Sequence, residues 1–123
     1  MVIRDDYRYT KDHEWVSLDA DVACVGITDY AQEQLGEVVY VELPTVGTSL
    51  SEGESFGVVE STKSVSDLYA PMAGEVVEVN SLLIDAPENI NTDPYGDGWM
   101  IKMRVESGAD ALLSAVDYAA LTT

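Results

Sequence analysis

Lys63 has the most unusual setting of any side chain in this sequence. It lies within Val58–Pro71, VVESTKSVSDLYAP, between Thr62 and Ser64, with Glu60 before it and Asp67 after it. From Asp12 to Ile101 there are 90 residues, 18 of them acidic, and Lys63 is the only lysine or arginine among them. A primary amine so placed can act as a nucleophile, be acylated by another enzyme, or be an ordinary solvated turn lysine. Schiff-base chemistry needs the free amine, which burial or a neighbouring cation promotes. The charged residues nearest in sequence are carboxylates, so Lys63 is expected to be a poor spontaneous nucleophile. With one His, one Cys and no Gly-rich phosphate loop, no other catalytic set stands out, and a self-sufficient enzyme is not expected. Acylation would remove the charge and turn the four-carbon stem into part of a tether for a group-carrying cofactor. The isolation of Lys63 favours that use over a filler charge.

Presenting such a lysine requires a rigid support. Phe56–Ser61 and Ser64–Tyr69 alternate and are rich in β-branched residues, and they meet at a short hydroxyl-rich turn, the pattern of a hairpin. Residues 1–6 read as a loose arm. Tyr7–Thr10, His13–Leu18 and Val22–Ile27 read as strands, with Asp19–Asp21 as a turn. Thr28 can cap a helix over Asp29–Leu35, with Gly36 at its C-terminal end. Val38–Leu43, Thr48–Leu50, Glu75–Asn80 and Trp99–Val105 read as further strands. Ser81–Pro87 reads as a brief helical turn and Asn91–Gly98 as loop. A helical tail over 107–122 is expected as two pieces, Ala109–Leu113 capped by Ser107 and Val116–Leu121 capped by Ser114. The tetrapeptide Gly36-Glu37-Val38-Val39 recurs as Gly74-Glu75-Val76-Val77 and points to two similar β-halves flanking the hairpin. Many short strands with turn signals between them argue for an all-β sandwich or barrel with small helical additions.

The totals narrow the function. A chain of 123 residues is expected to be a single domain, 1–123. A net charge of −17 disfavours nucleic acid and anionic lipid, whose binding rests on Lys and Arg contacts to phosphate. The same charge favours partners with basic patches. Cys24 is the sole cysteine, so no internal disulfide can form, and its apolar surroundings read as a small buried hydrophobe. The first residues lack the apolar core of a signal peptide and carry acids that transit peptides avoid. No run approaches the roughly 18 apolar residues of a membrane span. The expectation is a cytoplasmic protein.

The segment Glu60-Ser61-Thr62-Lys63-Ser64-Val65-Ser66-Asp67, followed by Tyr69-Ala70-Pro71 and Gly74-Glu75, resembles the lipoylation motif of the glycine cleavage system H-protein family. His13-Glu14-Trp15, Val25-Gly26-Ile27-Thr28, Ala31-Gln32, Leu35-Gly36, Val41-Glu42-Leu43-Pro44, Asn80, Pro94-Tyr95 and Gly98-Trp99 follow in family order, so the resemblance covers nearly the whole chain. Biotinyl carriers place Met on both sides of the lysine, and lipoyl domains of 2-oxoacid dehydrogenases usually carry Asp-Lys-Ala; neither pattern is present.

The resemblance implies a mainly β barrel-sandwich hybrid of the lipoyl/biotinyl type with short helices. It implies Lys63 as the attachment point of lipoic acid, within a modification motif of Glu60, Ser61, Ser66 and Asp67. It further implies a non-catalytic carrier, and a monomer is expected. Such a carrier takes the aminomethyl group of glycine from the P protein (glycine decarboxylase) to the T protein (aminomethyltransferase), and the L protein (dihydrolipoyl dehydrogenase) reoxidises the arm. A lipoate ligase or an octanoyl/lipoyl transferase would attach the arm. Dithiol and disulfide then belong to the cofactor, so one apolar cysteine is no obstacle. Glu14 and Asp67 match positions where family members hold the loaded arm in a cleft by charge-assisted hydrogen bonds. Asp12 stands where some relatives carry a small hydroxyl residue, and no role is carried over to it. His13 is expected to serve structure, and Trp15 and Trp99 to serve the core. Alternatives with the same lysine are a lipoyl relay to other complexes and an unmodified acidic interaction domain. No metal site is expected.

Overall fold

The computed structural model describes residues 2–107 and 111–122, apart from the side chain of Ser107. Among these, nine strands form where the sequence alternates or is β-branched: β1 Arg8–Tyr9, β2 Glu14–Asp19, β3 Val22–Ile27, β4 Val38–Glu42, β5 Ser49–Leu50, β6 Ser55–Ser61, β7 Val65–Tyr69, β8 Ala73–Val79 and β9 Ile101–Ser107. Four short helices accompany them: α1 Asp29–Leu35, α2 Leu82–Asp85, α3 Asn89–Thr92 and α4 Ala115–Leu121. The strands divide into a six-stranded sheet, β1-β2-β3-β9-β8-β5, and a three-stranded sheet, β4-β6-β7. Every pairing is antiparallel. The mainly β architecture with short helices is the one expected. No described helix is long and apolar enough to cross a membrane.

The sheets share one apolar core. Val16, Val25 and Met103 enter it from the large sheet, Val41, Val59 and Leu68 from the small one, and Leu83 and Ile90 from α2 and α3. A second cluster holds Tyr9, Trp15 and Tyr118. Trp15 is buried as expected, because its cross-strand partner is Gly26. A Cβ on Gly26 would come within 2.7 Å of the indole. The indole N–H donates to Pro94 O at 2.9 Å. Trp99 is only half-buried, with the Lys102 ammonium 5.1 Å from its ring centroid.

Several boundaries depart from the sequence reading. His13 cannot open β2, because its φ of 69° lies in the left-handed region. β9 starts at Ile101 rather than Trp99, since Trp99 N–H is spent in the loop on Gly96 O at 3.0 Å. The polar run expected as loop from Asn91 contains the end of α3, which exists because Ile90 is fully buried. Cys24 is half-buried rather than buried. Of the expected helix Ala109–Leu113, residues 109–110 lie outside the described residues, and Leu113 instead bridges Tyr9 in antiparallel fashion. The repeated tetrapeptide does not mark equivalent halves. Gly36 ends α1 with φ 83°, whereas Gly74 sits at a register shift inside β8, and Val38 and Val76 belong to different sheets. Residues 2–4 are tied to the body. Val2 N–H donates to Asp29 Oδ2 at 2.7 Å, Arg4 N–H donates to the Tyr9 hydroxyl at 2.7 Å, and the Tyr95 hydroxyl donates to Val2 O at 2.6 Å.

Candidate functional site

β6 and β7 pair up to Glu60↔Val65, and the chain turns between them through Thr62, Lys63 and Ser64. Ser61 organises that turn. Its N–H donates to Ser64 O at 2.8 Å, and its hydroxyl oxygen accepts from Lys63 N at 3.3 Å and Ser64 N at 3.1 Å. A small hydroxyl residue suits this position because one oxygen satisfies two turn amides. Lys63 is exposed. The ion pairs among the described residues are Arg4–Asp6, Lys102–Glu78 and Arg104–Glu75, and none involves Lys63.

The turn rests on the junction between α1 and β4. Thr62 N–H donates to Glu37 O at 3.0 Å. The aliphatic stem of Lys63 crosses Gly36, where a Cβ would lie 3.3 Å from Cε and 3.9 Å from Nζ. Asn91 clamps this junction from α3. Its carbonyl accepts from Val38 N at 2.8 Å, and its amide donates to Gly36 O at 2.8 Å and Gln32 Oε1 at 2.9 Å.

Beside the hairpin lies a cavity of about 320 Å³ whose lining includes His13, Glu14, Leu35, Val59, Asp67 and Leu68. Ser66 borders it too. The structure therefore brings Glu14 and Asp67, 53 positions apart in the chain, into the lining of one cavity, and Leu35 of that lining precedes the Gly36 that carries the Lys63 stem. A larger cavity, about 470 Å³, borders Glu14 on the side of Lys11, Glu52 and Pro71. It includes no residue of the hairpin tip, so the smaller cavity is the candidate.

The two carboxyls are in different environments. Asp67 is exposed on β7. Glu14 is 2% exposed, and burial pushes its pKa up to about 7. The Thr10 hydroxyl, donating at 2.6 Å, and a backbone hydrogen bond at Tyr69 oppose that rise, while the Asp12 charge adds to it. His13 is held by structure, as expected. Its Nδ1 lies 2.8 Å from the Tyr118 hydroxyl, which is also 2.6 Å from Thr28 Oγ1. Burial lowers the His13 pKa, against the pull of Asp12. No grouping of His, Cys, Asp and Glu able to hold a metal occurs among the described residues.

Of the motif residues, Ser61 builds the turn, Ser66 and Asp67 border the cavity, and Glu60 pairs across the sheet with Tyr40 and Val65. Sequence reading missed Thr10, Tyr118 and Asn91 as supports of the site. Asn91 had the weakest signal, since an Asn-rich run reads as loop; only the buried Ile90 beside it marks a helix.

Two antiparallel sheets around one core, with a lysine on the hairpin turn of the smaller sheet beside a cavity, have the architecture of a barrel-sandwich hybrid of the lipoyl/biotinyl type. The profile of the family described as "Glycine cleavage H-protein" matches residues 7–123. The chain is 57% identical over 122 residues to the "Glycine cleavage system H protein" of Anaeromyxobacter dehalogenans, covering 98% of this chain and 95% of the relative. It is 52% identical over 119 residues to that of Carboxydothermus hydrogenoformans, covering 95% and 92%. A crystal structure of a glycine cleavage system H protein from Mycobacterium marinum superposes with a TM-score of 0.87 at 47% identity, covering 96% of this chain and 97% of that one. The chain belongs to the glycine cleavage H-protein family. That family is a lipoyl-bearing carrier component rather than a catalytic enzyme, and its partners lie within the glycine cleavage system.

Proposed function

We propose that Lys63 is the lipoyl attachment site and that the chain carries the aminomethyl group of glycine between the enzymes of glycine cleavage. The observation that supports this most directly is the placement of Lys63 on a tight turn with its stem over Gly36, next to a cavity bearing Glu14 and Asp67. The cavity fits the group. Ile27, Ala31, Leu35, Val59 and Leu68 line it with apolar surface suited to an aliphatic chain, and the two carboxyls suit a cationic end. Bound there, lipoyl would supply a dithiolane able to carry the aminomethyl group from the P protein to the T protein, with the L protein restoring its disulfide.

The chain's own residues attach, hold and shield. In attachment, Lys63 Nζ forms an amide with the acyl carbon of an activated acid; AMP or a carrier thiol leaves, and the nitrogen gives up two protons in all. Ser61 keeps the turn tight so that Nζ stays outside the sheet. The apolar wall excludes water. Glu14 and Asp67 accept hydrogen bonds from a bound ammonium. A cation beside Glu14 favours its ionised form, so binding one releases a proton from the Glu14 carboxyl near pH 7. A cytoplasmic location and a monomeric state are proposed alongside this role.

Expression with a lipoylating system followed by intact mass measurement tests the attachment. One lipoyl adduct is expected, and it disappears in Lys63→Ala. A bare chain, or an adduct that survives the substitution, overturns the proposal. Reconstitution with P, T and L proteins tests the cargo. Lipoylated chain that fails to support glycine cleavage would overturn the carrier role and leave lipoyl relay.

A further inference from the structure

The outer face of the small sheet carries exposed apolar surface next to Lys63. In β4, Val38 and Val41 are buried, yet Val39 and Tyr40 between them are both exposed. A bulge accounts for this, since the pairing of β4 with β6 shifts between Val38 and Tyr40. Such an insertion re-aims side chains at a sheet edge. Tyr40 pairs with Glu60 and Glu60 with Val65, so these three side chains share one face. Val65 is 64% exposed, Val39 52% and Tyr40 48%. The next rung on that face is Glu42, Val58 and Asp67. Three large apolar groups are thus framed by Glu42, Glu60 and Asp67 at the base of the turn that holds Lys63. Exposed apolar patches rimmed by polar groups mark interaction sites.

We propose that this face is the docking surface of the enzyme that acylates Lys63. The proposal rests on the acylation of Lys63 argued above. That enzyme must bring an acyl carbon to Nζ itself, so its footprint has to include the rungs flanking the turn. Enzymes that use a loaded arm meet it at its far end and do not need to cover β4. The partner surface accordingly has apolar recesses for Tyr40 and Val65 and a basic rim facing Glu42, Glu60 and Asp67. The chain's charge of −17 favours such a rim.

Steady-state acylation of the unmodified chain by a lipoate–protein ligase, with octanoate and ATP, tests this. The double variant Y40T/V65T places a β-branched residue, which suits a strand, at both positions. Its KM is expected to rise about tenfold or more, as for loss of central apolar anchors, with kcat unchanged because Lys63 is untouched. Val116→Thr, 79% exposed on α4, is expected to leave KM unchanged. Glu42→Lys tests the rim without altering packing, and its KM penalty should be largest at low salt and shrink as salt screens it. Circular dichroism and thermal melting establish that each variant is folded, and Glu42→Lys decides if Y40T/V65T is not. Normal acylation of folded variants overturns the docking surface while leaving Lys63 acylation standing. Variants acylated normally but impaired with the P, T or L protein assign the face to a different partner and overturn the proposal. A wild-type chain that is never acylated overturns the underlying reading of Lys63.

Discussion

Glu14 is a carboxyl that the fold holds against its usual behaviour. Its pKa rises from 4.5 to about 7 in the folded chain, chiefly through burial. Below the unfolded value both states carry the proton and nothing is gained or lost. Between the two values the folded chain keeps a proton that the unfolded chain has released, so stability falls as pH rises through that window. Glu14→Gln removes this slope. Urea melts from pH 4 to 8 should show wild-type stability declining towards pH 7 and a flatter profile in the variant; parallel profiles would contradict the assignment. Gly36 is constrained in a second way, because its φ of 83° is left-handed and its missing Cβ leaves room for the Lys63 stem. Gly36→Ala is expected to cost about 1–2 kcal/mol through the backbone conformation alone, measurable by denaturant unfolding. Cys24, half-buried with its thiol pushed up to about 11, should react slowly with iodoacetamide at neutral pH in the native chain and rapidly once unfolded.

Among the elements, α3 and α4 contribute more than their length indicates. α3 is only four residues, Asn89–Thr92, yet Asn91 gives the α1–β4 junction three hydrogen bonds. Asn91→Ala leaves Val38 N–H and Gly36 O without those partners. A loss of about 1–3 kcal/mol is expected, the usual cost of stranding a part-buried polar group, and unfolding curves would measure it. The helix α4 reaches the site through His13, a residue of the cavity lining. Tyr118 stacks on Tyr9 with ring centroids 4.6 Å apart, and its hydroxyl joins Thr28 to His13. That contact, with Thr10 O accepting from His13 N at 3.1 Å and His13 O from Thr28 N at 3.0 Å, holds His13 in its left-handed conformation. β2 therefore begins at Glu14 and turns that carboxyl inward.

For the whole molecule, charge governs encounters more than stability. The ion pairs among the described residues are few, and their side chains are substantially exposed; pairs of that kind contribute little. The net charge of −17 instead creates a field that favours basic partners and is screened by salt. Affinity for each partner enzyme, measured by calorimetry, should fall steadily from low to physiological salt. Affinity independent of salt over that range would show that contacts other than charge dominate docking.

How much could be read in advance differs from residue to residue. The strand-and-turn pattern around Lys63, the Thr28 cap and the span of α1 follow from local chemistry, because period-two alternation, capping oxygens and glycine at a helix end act over neighbouring residues. α3 was illegible for the converse reason. Its helix is stabilised by burying Ile90 and by Asn91 reaching Gln32, Gly36 and Val38, all contacts distant in sequence. The bulge in β4 is likewise set by pairing with β6 and not by anything in Val39 or Tyr40 themselves. The sequence by itself determined that one ammonium stands alone on a hairpin turn amid carboxylates, since both facts are matters of spacing and composition. Only the tertiary structure decided that Glu14 is buried and poised near neutrality while Asp67 stays in water, because desolvation depends on what the other strands pack over each carboxyl.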